Sequence, residues 1–176
     1  WLYSATEVEI LTDEQLGEHP FLRKLGPDIL DSTLQPADIC MRLESQRFQR
    51  RTLAALYLDQ AFLAGVGNYL RSEILFAARL HPGVRANDLD RRERQRLARA
   101  TLTVSRRAYV LGGVTVTPKL MQSLKRAGQR YGQYRHWVFA RHGEPCRRCT
   151  AVVQRRLVAG RAVFVCPACQ PPACRS

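Results

Sequence analysis

The sequence predicts a mainly helical protein that opens on a single strand and closes in a small β-hairpin clipped by cysteines. Three observations carry that prediction. Apolar residues recur at helical spacing through 52–80 and again through 90–111. Four cysteines fall in two pairs near the C-terminus, Cys146-x2-Cys149 and Cys166-x2-Cys169. Residues 1–11, WLYSATEVEIL, are rich in aromatic and β-branched types and partly alternate. A length of 176 residues suits one moderate domain, or one domain with a small appended module.

The opening strand begins on Trp1, not Met, with no lead-in. The expectation is a fragment or a processed chain whose earlier strands are absent. Thr12 and Gln15 then form a capping box, with Asp13 and Glu14 suited to the positive end of a helix dipole. That short helix ends before Pro20, and Gly26-Pro27 marks a loop. Pro36 suits the first turn of a helix running to about Glu44. In 52–80, Leu53, Leu56, Tyr57, Gln60 and Leu63 keep the helical period until Ala64-Gly65-Val66-Gly67 interrupts it. Asn68 restarts the pattern, and Leu70, Ile74, Leu75 and Ala78 make a second stripe, which reads as two helices joined by a glycine turn. His81-Pro82-Gly83 stops the second helix. Asp90 and Glu93 cap the next one, which buries Leu97, Thr101, Val104, Ala108 and Leu111 and turns Arg91, Arg92, Arg94, Arg96 and Arg99 outward. Gly112-Gly113 ends it, and the basic, glycine-interrupted residues 114–145 read as a loop-rich connection.

The two cysteine pairs have the spacing of a four-cysteine zinc ribbon. Two residues between thiolates let one tight knuckle present both sulfurs to one ion, and two knuckles complete a tetrahedron. Between them, 151–158 is β-rich, Ala159-Gly160 offers a turn and 161–165 returns as a second strand. Four thiolates leave no open position, so the expected Zn2+ is structural. Two disulfides in a secreted chain are the alternative. Against them, the first 20 residues hold five acids and no Lys or Arg, unlike a secretion signal. Cys40 and Cys174 are also left over. Cys40, between Ile39 and Met41, reads as a small buried residue. Cys174 reads as a tail thiol, and His142 as a conceivable ligand for a sphere already filled.

Charge narrows the partner. The chain carries 28 Lys plus Arg against 15 Asp plus Glu, a net +13. Residues 1–45 hold nine acids and three bases, whereas residues 46–176 hold six acids and 25 bases. Such a surplus points to a polyanion, nucleic acid first and an anionic membrane surface second. The membrane reading is the weaker, because the basic helices lack a large exposed apolar face. An apolar content of 45% excludes a disordered chain. No uncharged apolar run reaches the ~18 residues of a membrane span.

Candidate site residues are few. Gly65, Gly67 and Asn68 place a glycine turn at a helix start, where free backbone N–H groups form an anion site. Asn68 equally reads as an ordinary capping residue after a tight turn, and local sequence favours that. Arg161, at the hairpin's tip, could reach a phosphate or simply be a solvated charge. No Ser–His–Asp ordering, phosphate loop or paired-carboxylate site is present.

Residues 60–75, QAFLAGVGNYLRSEIL, followed by His-Pro-Gly at 81–83, resemble the helix–two-turn–helix segment of the formamidopyrimidine-DNA glycosylase and endonuclease VIII family. HGEPCRRC at 142–149 and GRAVFVCPAC at 160–169 resemble that family's C-terminal zinc finger, and residues 3–30 look closer to the endonuclease VIII branch. The resemblance implies three parts: the end of a β-sandwich catalytic domain in 1–19, a helix–two-turn–helix DNA-binding domain in 20–135, and the zinc finger in 136–176. It implies a bifunctional base-excision enzyme that flips an oxidised base, preferably a pyrimidine, from double-stranded DNA. Such an enzyme cuts the glycosidic bond through a Schiff base and nicks the strand at the abasic site by β,δ-elimination. It also implies a monomer in the bacterial cytoplasm, at the nucleoid. Asn68, with Gly67, and Arg161 map onto the family's contacts to the phosphate beside the lesion. The family's nucleophile is an N-terminal proline amine followed by a glutamate, where this sequence has Trp1-Leu2. No residue here takes either role. The expectation is that this chain binds DNA without excising bases. The competing expectation is a nucleic-acid-binding zinc-ribbon module with no catalytic parent.

Overall fold

The structure, a computed structural model, describes residues 9–158 and 160–172. Seven helices precede one hairpin among them: α1 (Asp13–Glu18), α2 (Pro36–Glu44), α3 (Leu53–Leu56), α4 (Asn68–Ala77), α5 (Arg91–Val110), α6 (Pro118–Arg126), α7 (Tyr131–Tyr134), β1 (Gln154–Val158) and β2 (Arg161–Val165). Of the strand expected over 1–11, residues 1–8 lie outside the described residues, and residues 9–11 carry no strand. The capping box of α1 forms as read: the Thr12 N–H donates to Gln15 Oε1 and the Gln15 N–H to Thr12 Oγ1.

The main core lies between α2, α4 and α5. Ile39 and Leu43 of α2, Ile74 and Leu75 of α4, and Leu97 of α5 are fully shielded from solvent. α5 starts where Asp90 and Glu93 cap it reciprocally and ends at Leu111 before two glycines of positive φ. Inside the core, Tyr57 OH and Thr101 Oγ1 stand 2.7 Å apart, which satisfies a buried phenol.

The first helix of the expected helical hairpin is shorter than its periodicity implies. Only Leu53–Leu56 is α-helical, and 57–63 run as turns. Side chains compete with the helix there. Asp59 Oδ1 accepts the Ala61 N–H. Gln60 Oε1 accepts the Gly65 N–H while its Nε2 donates to Val66 O, which braces the glycine turn. Gly65 adopts φ +86° with Ile29 Cγ2 3.2 Å from any added Cβ, so this turn requires glycine.

The connection 114–145 is more ordered than the sequence suggested. Thr117 caps α6, Pro118 opens it, and Leu120, Met121 and Leu124 pack against Val114, Val116 and Tyr134. The hairpin is antiparallel, with Gln154 opposite Val165 and Val158 opposite Arg161. β1 begins three residues later than expected. Residues before it wrap the first cysteine knuckle instead: the Cys146 N–H donates to Ala151 O and the Val153 N–H to Glu144 O. Val163, Phe164 and Val165 are buried, so β2 seats the ribbon on the helical body. No described helix is long and apolar enough to cross a membrane.

Candidate metal centre and nucleic-acid interface

Cys146, Cys149, Cys166 and Cys169 bring their sulfurs within 4.8 Å of one another. The Cys149–Cys166 and Cys149–Cys169 sulfurs stand 3.3 and 3.5 Å apart. A tetrahedral ion with metal–sulfur bonds of about 2.3 Å sets sulfurs ~3.8 Å apart. The donor set therefore fits one thiophilic metal ion. Backbone N–H groups of Arg148 and Cys169 point at the sulfurs of Cys146 and Cys166, at 3.4 and 3.5 Å, as a knuckle holding thiolates requires. His142 is exposed and outside the cluster, and Cys174 lies outside the described residues. Cys40 is half-buried against the main core, where burial pushes its thiol pKa up and keeps it inert.

Asn68 is not the capping residue of α4; Gly67 is, with no side-chain cap bond. The first N–H groups of α4 thus keep no intrahelical acceptor. Gly67 has φ −100°, which any residue adopts, and a Cβ there would meet nothing within 4 Å. The fold does not demand glycine at this point. What glycine leaves is open space at the positive end of a helix.

Arg71 is the residue sequence reasoning missed. Its side chain is wholly buried. Nη1 donates to Ala54 O at 2.9 Å, and Nη2 donates to Asn68 Oδ1 at 2.6 Å and to Ala162 O at 2.9 Å. One guanidinium therefore joins α3, α4 and β2. Burial, and then the charge of Arg161, push its pKa down to about 10, so it stays cationic at neutral pH. Arg161 itself is exposed and forms no ion pair among the described residues. Two guanidinium groups and an amide thus gather at the start of α4, and no carboxylate pairs with either guanidinium among the described residues. Arg71 sits in a stretch, 70–76, that the structure buries all round, and the sequence carried no local signal for it.

Glu73, also wholly buried and also missed, anchors the other side of α4. Oε1 accepts the Val138 and Phe139 N–H groups, each at 2.9 Å, and Oε2 accepts the Trp137 N–H at 2.9 Å and the Thr115 hydroxyl. The segment entering the ribbon is strung on this carboxylate. Gln170, past the last cysteine, closes the link, accepting the Cys166 N–H and donating to Leu80 O.

Many arginines serve the fold rather than a partner. Arg42, Arg107, Arg141 and Arg147 all donate to backbone carbonyls. The basic face of α5 is partly spent as well, since Arg94 pairs with Glu44 and Arg96 binds Ala78 O.

A family model described as the formamidopyrimidine-DNA glycosylase H2TH domain matches residues 25–119. Endonuclease 8 of Escherichia coli K12 is 43% identical over 169 residues, covering 96% of this chain and 61% of its own length. Endonuclease 8 of Salmonella arizonae is 42% identical over the same span. The chain thus spans about 61% of the length of these relatives. Among solved structures, MutM (Fpg) of Thermus thermophilus matches with TM-score 0.70 and 38% identity, over 88% of this chain and 57% of that one. Lactococcus lactis formamidopyrimidine-DNA glycosylase, non-covalently bound to DNA containing an AP site, matches with TM-score 0.69 and 26% identity, over 90% and 54%.

Proposed function

The chain belongs to the formamidopyrimidine-DNA glycosylase and endonuclease VIII family, and from that membership we propose that it is the DNA-gripping part of a base-excision glycosylase and abasic-site lyase. It holds double-stranded DNA by the backbone. Asn68 and the Gly67 turn present an amide and free N–H groups to a phosphate from the helical body. Arg161 closes on the same phosphate from the ribbon, and Zn2+ held by Cys146, Cys149, Cys166 and Cys169 keeps that ribbon folded. The observation that carries this reading is the Arg71 bridge, which holds Asn68 and reaches across 91 positions of sequence to Ala162, the residue beside Arg161.

Excision of oxidised bases, preferably pyrimidines, through a Schiff base, with strand nicking by β,δ-elimination, is the activity proposed for the whole protein, acting as a monomer. Within this sequence no proline supplies the amine nucleophile. Each proline nitrogen here is a tertiary amide and forms no imine.

The test is duplex binding by fluorescence anisotropy across a salt series. The zinc-loaded chain binds duplex DNA more tightly than anionic vesicles. Arg161→Ala weakens binding and lowers the salt slope by about one phosphate contact. An unchanged slope removes Arg161 from the interface. Borohydride trapping on abasic DNA yields no adduct with this chain, and a trapped adduct would refute the nucleophile assignment.

A further inference from the structure

At the far end of α4 from Asn68, two nitrogen donors face each other. The Gly83 N–H donates to His81 Nδ1 at 3.1 Å. That bond makes Nδ1 the acceptor, so in the neutral ring the proton sits on Nε2. Burial, and then the charge of Arg156, hold the His81 pKa below its ordinary value, so the ring is neutral at neutral pH. Yet the group opposite Nε2, at 3.3 Å, is Nη1 of Arg156, itself a donor. A neutral imidazole has one acceptor nitrogen, and here two N–H groups approach the ring while a third leaves it. One acceptor is missing.

The surroundings do not supply it. Arg156 Nη2 donates to Gln154 Oε1 at 3.1 Å, which steadies the guanidinium without neutralising it. No carboxylate pairs with Arg156 or His81 among the described residues. Arg156 stands opposite Val163, so it shares a hairpin face with Arg161, its diagonal neighbour, and the local field is cationic. Arg156 is exposed and His81 half-buried, so an incoming group reaches both.

We propose that His81 and Arg156 form an oxyanion site that takes a phosphate group. An oxygen accepting from both Nε2–H and Nη1–H supplies the missing acceptor, and the guanidinium fork matches a tetrahedral anion's edge. Its histidine lies past the C-terminal end of α4 and Asn68 at its start, ten residues of helix or about 15 Å apart at 1.5 Å per residue, although Arg156 and Arg161 are neighbours on the hairpin. The phosphate can come from a DNA backbone or from free phosphate. Only the first source rests on the duplex-binding reading above.

The test follows the His81 side-chain nitrogens by NMR in the zinc-loaded chain, first with inorganic phosphate and then with a short duplex. Inorganic phosphate shifts the Nε2 resonance saturably. Arg156→Gln weakens that response about tenfold, the weight of one charge-assisted hydrogen bond, and Arg156→Lys restores part of it. No saturable shift with either probe, or an equal shift in Arg156→Gln, overturns the proposal. A His81 response to duplex, with a salt slope lowered by about one in Arg156→Gln, assigns the phosphate to DNA. A response to inorganic phosphate alone assigns it to free phosphate. Duplex anisotropy with Arg161→Ala reports separately on the earlier reading. Loss of duplex binding by the unaltered chain would end that reading and leave the phosphate arm standing.

Discussion

Arg71 donates to Oδ1 of Asn68 at 2.6 Å through a guanidinium that no solvent reaches. The bond fixes which way the Asn68 amide faces. With Oδ1 taken, Nδ2 is the end left to donate, beside the open space at Gly67. The same guanidinium holds the carbonyl of Ala162, next to Arg161. A residue that never meets the ligand thus orients one of its proposed contacts and moors the strand that bears the other.

Arg71→Met tests this arrangement. The substitution leaves Ala54 O, Asn68 Oδ1 and Ala162 O without their donor. The expected cost is about 2–4 kcal/mol, since buried acceptors lose partners. Urea denaturation of the zinc-loaded chain reads it, and duplex affinity falls although Arg71 lies beneath the surface. Wild-type values for both would show that the bridge positions nothing.

Glu73→Gln probes the second anchor. A carboxylate accepts four bonds here, whereas an amide keeps one acceptor oxygen and turns its NH2 against either the Val138 and Phe139 N–H groups or the Trp137 N–H and Thr115 hydroxyl. Destabilisation by about 2–4 kcal/mol follows. It comes with a changed near-ultraviolet dichroism signal from Trp137, which packs against Phe76. An unaltered signal would mean that the connector holds without Glu73.

Acid acts through His136. Burial, and then Arg135, push its pKa down to about 3, from 6.5 for a free side chain. Between those values the unfolded chain binds a proton that the folded chain refuses, so stability falls as pH drops from 6.5 toward 3 and is insensitive to this group above. Thermal melts across that window drop with acid, and His136→Gln flattens the dependence while zinc occupancy is followed at each pH. A slope unchanged by the substitution would assign the acid sensitivity elsewhere.

Cys166→Ser removes a buried thiolate from the proposed zinc site. Zinc content falls, and the ribbon unfolds while the helical core, built on α2, α4 and α5, keeps its far-ultraviolet signal. Structural zinc contributes on the order of 10–16 kcal/mol in finger peptides, far more than so small a hairpin core can replace. Full zinc occupancy in the variant would mean that another ligand takes the position.

What the sequence made legible is what is local. The cysteine pairs, the Asp90–Glu93 cap and the stripe of α5 each fit within a few turns of chain, and all appear in the structure. Arg71 and Glu73 were opaque because their meaning lies at a distance, in Ala162 and in the backbone of 137–139. In sequence they look like surface charges on an amphipathic helix, yet α4 has no free face from Leu70 to Phe76. The shortening of α3 had a local cause that periodicity hides, since Gln60 fits the apolar stripe by position but spends its amide on the Gly65 turn. α6 did carry its signals, Thr117-Pro118 and an apolar trio, but the basic composition around it masked them.

The central claim is that Asn68 and Arg161 hold one phosphate between them. A double-mutant cycle on duplex affinity at fixed salt tests it most directly, comparing Asn68→Ala, Arg161→Ala and the pair. If they share a phosphate, each single change weakens binding and the pair loses less than the two losses combined, because removing either contact loosens the other. Strictly additive losses, or no loss from either change, would contradict the shared contact and with it the proposed grip.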